Sequence, residues 1–419
     1  METWGVSPVQ KMSKRVNMSR ISGKNIVLGV TGGIAAYKSC ELVRRLVKED
    51  ATVRVIMTKN AAEFVTPMTF QALSLNRVAT EIYDAEWESE IGHIALADNA
   101  DLIIVAPATA TFIGKATSGI ADNLLNAVIL ATRSPVIVCP VMNVNMYNNS
   151  AVQENIEGLS RRGFVIVDPD EGELACGWEG KGRYPEIGVI MQEIERVFSR
   201  KDFMGKRVMV TAGATREYID SVRFISNPST GKMGYALAKE AWLRGADVLL
   251  ISGKTDVAPP TGVNIVNAAS ASDMYQKVMG HLDWAEIIIK AAAVGDFTPS
   301  NVIKGKIKKS KKDLSLTLKP TKDILLEIGK RKDGMTIVGF AAECENIIEN
   351  SRAKLRTKNA DLIVANDISK VGSGFGQDTN AAYFVDRSGQ VEELPLMSKS
   401  DLASRVLDKI LEIRANIHS

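Results

Sequence analysis

Apolar residues along this chain come in short unbroken runs separated by longer stretches of mixed polarity. Residues 25–30, 52–58, 101–106 (DLIIVA), 135–139 (PVIVC) and 164–167 form such runs and predict strands buried on both faces. Residues 34–47, 122–132 and 152–162 carry apolar positions at helical spacing instead. Strands alternating with helices predict a parallel sheet covered on both sides. Around residues 198–205 the pattern restarts. A strand at 207–210 runs into Thr211-Ala212-Gly213, echoing Val30-Thr31-Gly32-Gly33, and further strands are predicted at 247–251, 286–289, 336–340 and 361–365. The likeness between DLIIVAPA from Asp101 and DLIVAND from Asp361 suggests a similar α/β plan in both halves.

The length, 419 residues, exceeds one ordinary core. We expect a flexible N-terminal extension over residues 1–23, a first domain over 24–200 and a second over 201–419. Hydrophobic content of 45% with 24% charged residues is globular, and a net charge of +3 gives no reason to expect nucleic acid or membrane as a partner. Cys40, Cys139, Cys176 and Cys344 lie far apart, which fits neither a disulfide framework nor a zinc site. No apolar run reaches the roughly 18 residues of a membrane span, and the first residues lack the apolar core of a signal peptide. A cytoplasmic protein is expected.

Three clusters in the first half could carry chemistry. Gly32 and Gly33 let backbone approach an anion at a helix start, although a plain strand–helix turn needs glycine too. Pro140-Val141-Met142-Asn143-Val144-Asn145-Met146 follows a strand. An amide there holds a carboxylate without adding charge, and thioethers line a flat ring. Leu174-Ala175-Cys176-Gly177-Trp178-Glu179-Gly180-Lys181-Gly182-Arg183 alternates glycine with functional residues, as in a lid. Cys176 is either an inert small apolar residue or a reactive thiol in a basic loop. His93, one of three histidines, reads as a partly buried structural residue on sequence alone.

In the second half, Asn227-Pro228-Ser229-Thr230-Gly231-Lys232-Met233 contains STGK, but methionine stands where a P-loop needs Ser or Thr, and no strand leads directly into it. The remaining reading is a polar turn at a helix start, suited to carboxylate or phosphate. Lys290-Ala291-Ala292-Ala293-Val294-Gly295-Asp296 follows a strand. Its small residues allow a base or sugar against the backbone, or simply a close-packed crossover, and Asp296 can meet a ribose or metal-bound phosphate. Residues 304–312, KGKIKKSKK, hold six lysines in nine positions and predict a mobile loop, either solvated or closing over a triphosphate.

VTGGIAAYK (30–38), FVTPMTFQAL (64–73), GHI at His93, APAT (106–109), GIADNLL (119–125), PVMNVNM (140–146) and LACGWEGKGR (174–183) together resemble the FMN-dependent phosphopantothenoylcysteine decarboxylases. Thr111 departs from them, standing where that family has asparagine. The resemblance implies FMN bound by Gly32, Gly33, Ile34, Thr58, Ala108, Thr109, Asp122 and Met142. It also implies that His93 assists thiol oxidation, Asn143 grips the departing carboxylate and Cys176 delivers a proton.

From about residue 205 onward the chain resembles the phosphopantothenate–cysteine ligases of the CTP-using, fused type, on the segments above with Gly339-Phe340-Ala341-Ala342-Glu343, Lys354, Lys358 and residues 361–367. Asp323 and Ile324 sit in Lys319-Pro320-Thr321-Lys322-Asp323-Ile324, where the family reads NPDI. The resemblance implies an acyl-cytidylate gripped by Asn227, a triphosphate served by Lys306, and CTP contacted by Ala291, Ala292, Asp296, Lys306, Asp323, Ile324, Phe340, Lys354 and Lys358. Mg²⁺ would bridge phosphates near Asp296. The implied fold is α/β, with two doubly wound Rossmann-like domains: a flavodoxin-like flavoprotein domain, then a nucleotide-binding ligase domain. The implied assembly is a homo-oligomer, a dodecamer built from trimers and dimers, with small-molecule partners only. Rivals are another FMN enzyme, such as a peptidyl-cysteine decarboxylase, and a flavin-binding regulatory subunit. The fused ligase opposes the first and the intact cysteine loop the second.

Overall fold

An unbroken apolar run can be a strand only if both faces of its sheet are covered, and the first sheet shows how. The computed structural model describes residues 19–81, 92–173, 177–309, 314–367, 369 and 376–418. It divides into two compact units, residues 1–199 and 200–419.

The first unit holds β1 (Asn25–Val30), β2 (Thr52–Met57), β3 (Leu102–Ala108), β4 (Val136–Pro140) and β5 (Val165–Ile166). They pair in the order β2-β1-β3-β4-β5, every neighbour parallel. All of β3 is buried. Leu102, Ile104 and Ala106 join the core on one face, while Ile103, Val105 and Ala108 join that on the other. Strand order reverses between β1 and β3, and in open parallel sheets such a switch point leaves a crevice beyond the strand ends. The helical pattern from Ile34 begins as a 3-10 turn, Ile34–Lys38, before the α-helix Ser39–Lys48. Of the glycine-rich segment read as a lid, Glu179–Arg183 forms β7, which pairs antiparallel with β6 (Asp170–Glu173).

The main sheet of the second unit contains β8 (Arg207–Ala212), β11 (Asp247–Ser252), β12 (Asn264–Asn267), β13 (Ile287–Lys290), β16 (Thr336–Glu343), β17 (Leu362–Asp367), β18 (Thr379–Asp386) and β19 (Val391–Ser398). Its order is β12-β11-β8-β13-β16-β17-β18-β19, parallel through β17 and antiparallel beyond. The parallel part is the Rossmann order, reversing between β8 and β13. Two small hairpins flank this sheet, β9 (Arg216–Tyr218) with β10 (Phe224–Ser226), and β14 (Phe297–Pro299) with β15 (Leu318–Pro320). Helix Lys399–His418 packs Leu402, Val406 and Ile410 into the core shared with helix Lys232–Leu243.

The two sequence echoes differ in meaning. The VTGG and VTAG segments leave β1 and β8, the strands at each reversal, and are equivalent. The DLIIVA and DLIVA runs fall on β3, beside the first reversal, and on β17, well away from the second. Their likeness reflects buried parallel strands, not an internal repeat. No helix among the described residues is long and apolar enough to cross a membrane.

Candidate active sites

At the first reversal, the loops leaving β1 and β3 are tied together by Thr31. Its Oγ1 donates to Pro107 O at 2.7 Å and accepts from Thr109 N at 3.0 Å. Gly32 has no room for a side chain, because a Cβ there would run into Asn60. The resulting crevice, about 270 Å³, is lined by Thr31, Gly32, Thr58, Thr109, Thr111, Lys115 and Asp122, among others. Thr58 Oγ1 is buried without a hydrogen-bond partner among the described residues. A buried orphan hydroxyl on a crevice wall fits a ligand that brings its own polar atom, such as the ribityl phosphate of a flavin nucleotide. Lys115 Nζ lies 2.6 Å from Asp122 Oδ2, and this hydrogen bond, foremost, holds the Asp122 pKa below the usual carboxylate range. Gly33, Ile34, Ala108 and Met142 do not line this crevice. Ile34 is exposed, Ala108 closes β3 in the core, and Met142 is buried.

The Asn143 cluster lies against the hairpin. Met142 N donates to Gly182 O at 3.1 Å. A Cβ at Gly180 would come within 2.7 Å of Val144 Cγ2, and one at Gly182 would run into Met142 O. Both glycines also have positive φ, +148° and +147°. Gly180 and Gly182 therefore serve close packing on residues 142–144. Asn143 caps the short helix Val144–Tyr147, its Oδ1 accepting from Asn145 N at 2.8 Å. His93 is the first residue of helix His93–Asp98 and does not line the crevice at Thr58. Cys176, with Leu174 and Ala175, lies outside the described residues.

At the second reversal, a pocket of about 230 Å³ opens beyond β13 and β16. Asn227, Ala291, Ala292, Phe340 and Lys354 line it, joined by Gly231, Lys232, Lys290, Asn366, Asn380 and Lys399. Gly231, with φ +79°, starts helix Lys232–Leu243 at the pocket wall. A short strand, β10, does precede the Asn227 turn, contrary to the sequence reading. It belongs to the exposed hairpin with β9 and not to the parallel sheet, so the arrangement differs from a P-loop.

Asn227 Nδ2 reaches Val294 O at 3.3 Å. Lys354 Nζ meets Glu343 Oε1 at 2.5 Å. Lys358 Nζ meets Asp323 Oδ2 at 2.6 Å, while Asp323 Oδ1 caps its helix by accepting from Leu326 N. Burial opposes the charge of Asp323, but the bonds from Lys358 and Leu326 prevail and lower its pKa. Burial pushes the Lys290 ammonium down. Asn380 Oδ1 is buried without a partner among the described residues.

Asp296, Lys306, Asp323, Ile324 and Lys358 do not line this pocket. Asp296 lies in the loop between β13 and β14, its carbonyl accepting from Thr321 N at 2.9 Å. Residues 304–309 form an irregular segment fastened to the turn after β9. Ile307 N donates to Asp220 Oδ2 at 3.0 Å, Arg223 Nη1 to Ile307 O at 3.2 Å, and Ser221 N to Gly305 O at 3.4 Å. The Asp220 carboxylate is hidden, and bonds from the backbone N–H groups of Arg223, Ile307 and Val222 hold its pKa down to about 2. Residues 310–313 lie outside the described residues. Among the described residues no cluster of His, Cys, Asp or Glu is placed to hold a metal ion.

Residues 15–199 match the family described as Flavoprotein, and residues 203–413 match the DNA/pantothenate metabolism flavoprotein C-terminal domain. The coenzyme A biosynthesis bifunctional protein CoaBC of Bacillus subtilis is 48% identical over 93% of this chain and 97% of its own. The chain belongs to the CoaBC family. The Escherichia coli CoaBC is 43% identical, again over 93% of this chain and 97% of its own. A crystal structure of a CoaBC C-terminal domain is 40% identical, covering 52% of this chain and 99% of that one, with a TM-score of 0.45.

Within this CoaBC architecture, sequence reasoning did not single out Lys232, Lys290, Asn380 or Lys399 as site residues. Lys232 and Lys290 stood inside quoted motifs and carried a usable signal, a lysine at a helix start and a lysine ending an apolar strand. Asn380 and Lys399 are brought in by the antiparallel end of the sheet, and no local pattern announces them.

Proposed function

We propose that the second unit couples 4′-phosphopantothenate to cysteine through an acyl-cytidylate, using CTP and Mg²⁺. The first unit then decarboxylates the product to 4′-phosphopantetheine with FMN. The full-length match to the CoaBC proteins carries this reading, because it spans both crevices in one chain.

In the ligase step a carboxylate is too poor an electrophile to meet an amine directly, so it must first gain a leaving group. The start of helix Lys232–Leu243 offers unpaired backbone N–H groups and a positive dipole end to a phosphate. The long hydrogen bond from Asn227 to Val294 O is easily exchanged for one to the acyl carbonyl. Lys306 neutralises the departing pyrophosphate, and Asp296 faces the ribose or the phosphate-bound Mg²⁺. Phe340, Lys354, Lys358, Ala291, Ala292, Asp323 and Ile324 hold the nucleotide.

In the decarboxylation, FMN when bound supplies the oxidising equivalent that makes loss of CO₂ from a cysteinyl carboxylate feasible. Thr58, Gly32, Thr109 and Asp122 hold it, with Gly33, Ile34, Ala108 and Met142 alongside. The Asn143 amide steadies the carboxylate without a countercharge that would favour its retention. His93 assists proton removal from the thiol, and Cys176 returns a proton to the product carbon. Exposed Ile34, Tyr37, Met68 and Leu75 support a homo-oligomer.

The test is incubation of the whole chain with phosphopantothenate, cysteine, Mg²⁺ and CTP, followed by mass spectrometry, with Cys176→Ser in parallel. Phosphopantetheine from the wild type and a stalled intermediate from the variant are expected. Phosphopantothenoylcysteine that is never decarboxylated overturns the first half of the assignment, and absence of coupling overturns the second.

A further inference from the structure

The second unit has another cavity, at the far end of its sheet from the pocket at the strand reversal. β18 runs antiparallel to β17, pairing Ala382 with Asn366 beside that pocket and Asp386 with Leu362 at the opposite end. Asn380, on the pocket wall, and Asp386 are six positions apart on one strand, or about 20 Å at strand rise. The far cavity measures about 580 Å³ and opens between helix Ile347–Thr357 and the turn joining β18 to β19. That volume falls within the range of small-ligand sites.

Arg352, Leu355 and Arg356 line it from one face of the helix, at spacings of three and four, and Arg387 enters from the turn. Among the described residues that line the cavity, Asp386 is the single carboxylate, and it is already engaged. Its Oδ1 accepts from Ser388 N at 3.0 Å and from Ser388 Oγ at 2.5 Å, while its Oδ2 lies 3.1 Å from the buried Lys409 ammonium. The arginines are poorly matched. Arg352 has one long hydrogen bond, to Gly389 O at 3.5 Å. Arg387 Nη1 stands 3.8 Å from Asp361 Oδ1, beyond hydrogen-bond reach, and that carboxylate already takes Lys332 Nζ at 2.5 Å and Ile337 N at 2.9 Å. The Arg356 guanidinium has no hydrogen bond and no ion pair among the described residues.

A single exposed arginine is ordinarily a solvated side chain. Here three of them, from two separate elements, surround one concavity that holds one carboxylate, an excess of two positive charges among its lining residues. Like charges gathered in this way repel one another, and an anion between them removes that cost. Guanidinium groups are planar forks whose paired donors fit phosphate oxygens two at a time. An excess of two matches the dianion of a phosphate group better than the single charge of a carboxylate. Walls on two sides suit a compact ligand, whereas a nucleic acid needs a broader basic face.

We propose that this cavity is a second, non-catalytic site of the chain, binding a small phosphate-bearing ligand through Arg352, Arg356 and Arg387. The experiment is calorimetric titration of the whole chain with pyrophosphate. It compares wild type with Arg352→Gln/Arg356→Gln, with Arg387→Gln, and with Arg44→Gln/Arg133→Gln. The last removes two exposed arginines of the first unit and controls for general surface charge. Any pyrophosphate held in the pocket at the strand reversal is common to all four proteins. Arg352→Gln/Arg356→Gln should weaken one site per chain by about 10- to 100-fold, the range of a lost charged hydrogen bond. Arg387→Gln, an independent variant should the double one fail to fold, should weaken the same site, and the control pair should bind as wild type does. Wild type that takes up no pyrophosphate overturns the proposal. So does binding unchanged in the cavity variants, or weakened equally in the control pair. A polyuridylate oligomer that binds more tightly than pyrophosphate, and loses its binding in the same variants, would make this face a nucleic-acid patch and also overturns it.

Discussion

Lys358 and Asp323 meet at 2.6 Å, joining the end of helix Ile347–Thr357 to the cap of helix Ile324–Lys330. One carboxylate oxygen takes the lysine while the other takes Leu326 N, so Asp323 fixes two helices beside the pocket.

Replacing Asp323 by Ala should cost about 1 kcal/mol, the usual worth of an N-cap, with little added from a pair this exposed. The Asp323 pKa is lowered in the folded chain. Its contribution is therefore complete above the unfolded carboxylate pKa of about 4 and fades as pH falls through the lower folded value. Urea unfolding of the two proteins should differ at pH 7 and converge in acid. A gap that instead widens in acid contradicts this account.

Thr58→Val removes the orphan hydroxyl from the first crevice while preserving shape. Flavin retained per chain after gel filtration should fall about tenfold, the worth of one hydrogen bond to a charged group, without loss of thermal stability. Unchanged flavin content means that the hydroxyl faces no ligand.

Gly182→Ala forces a methyl group onto Met142 O at a backbone angle suited to glycine. Decarboxylation, followed as CO₂ release, should drop by about 100-fold, as expected if the loop proposed to present Asn143 to the substrate is displaced by roughly 1 Å. Pyrophosphate release by the ligase should be retained, since the change lies in the first compact unit. Equal loss of both activities would indicate global unfolding.

Asp220→Ala releases the 304–309 segment from the turn after β9. Ligase kcat should fall at least about tenfold as Lys306 loses its fixed approach, with trypsin cutting faster within the lysine run. Decarboxylation of supplied phosphopantothenoylcysteine should be unaffected. Because the folded pKa of Asp220 is about 2, the clasp in wild type should persist well below pH 4 and open only as pH approaches that value.

The buried parallel strands were legible because both faces of each are apolar, as Leu102 to Ala108 show. β18 escaped notice even though it is almost fully buried, because Thr379 and Asn380 open it with polar side chains. β6 and β7 carry Asp170, Glu171, Glu179 and Lys181 with scarcely an apolar residue, so composition pointed to a loop. Gly180 and Gly182 of β7 pack on residues 142–144, a tertiary contact invisible locally. Likewise, Asn227, Ala291, Phe340 and Lys354 were readable as motifs, while Lys399 joins their pocket only because the chain returns antiparallel after β17.

The Asp220 clasp has a mechanical meaning. The turn it holds is the loop of the β9–β10 hairpin, and β10 runs straight into Asn227. Lys306 and Asn227, assigned to the leaving group and to the electrophile, are thus mounted on a single rocker with one carboxylate as its pivot. The seven peptide links from Asp220 to Asn227 tie the lysine arm to the asparagine, so grip on one end of the reacting system would bear on the alignment of the other.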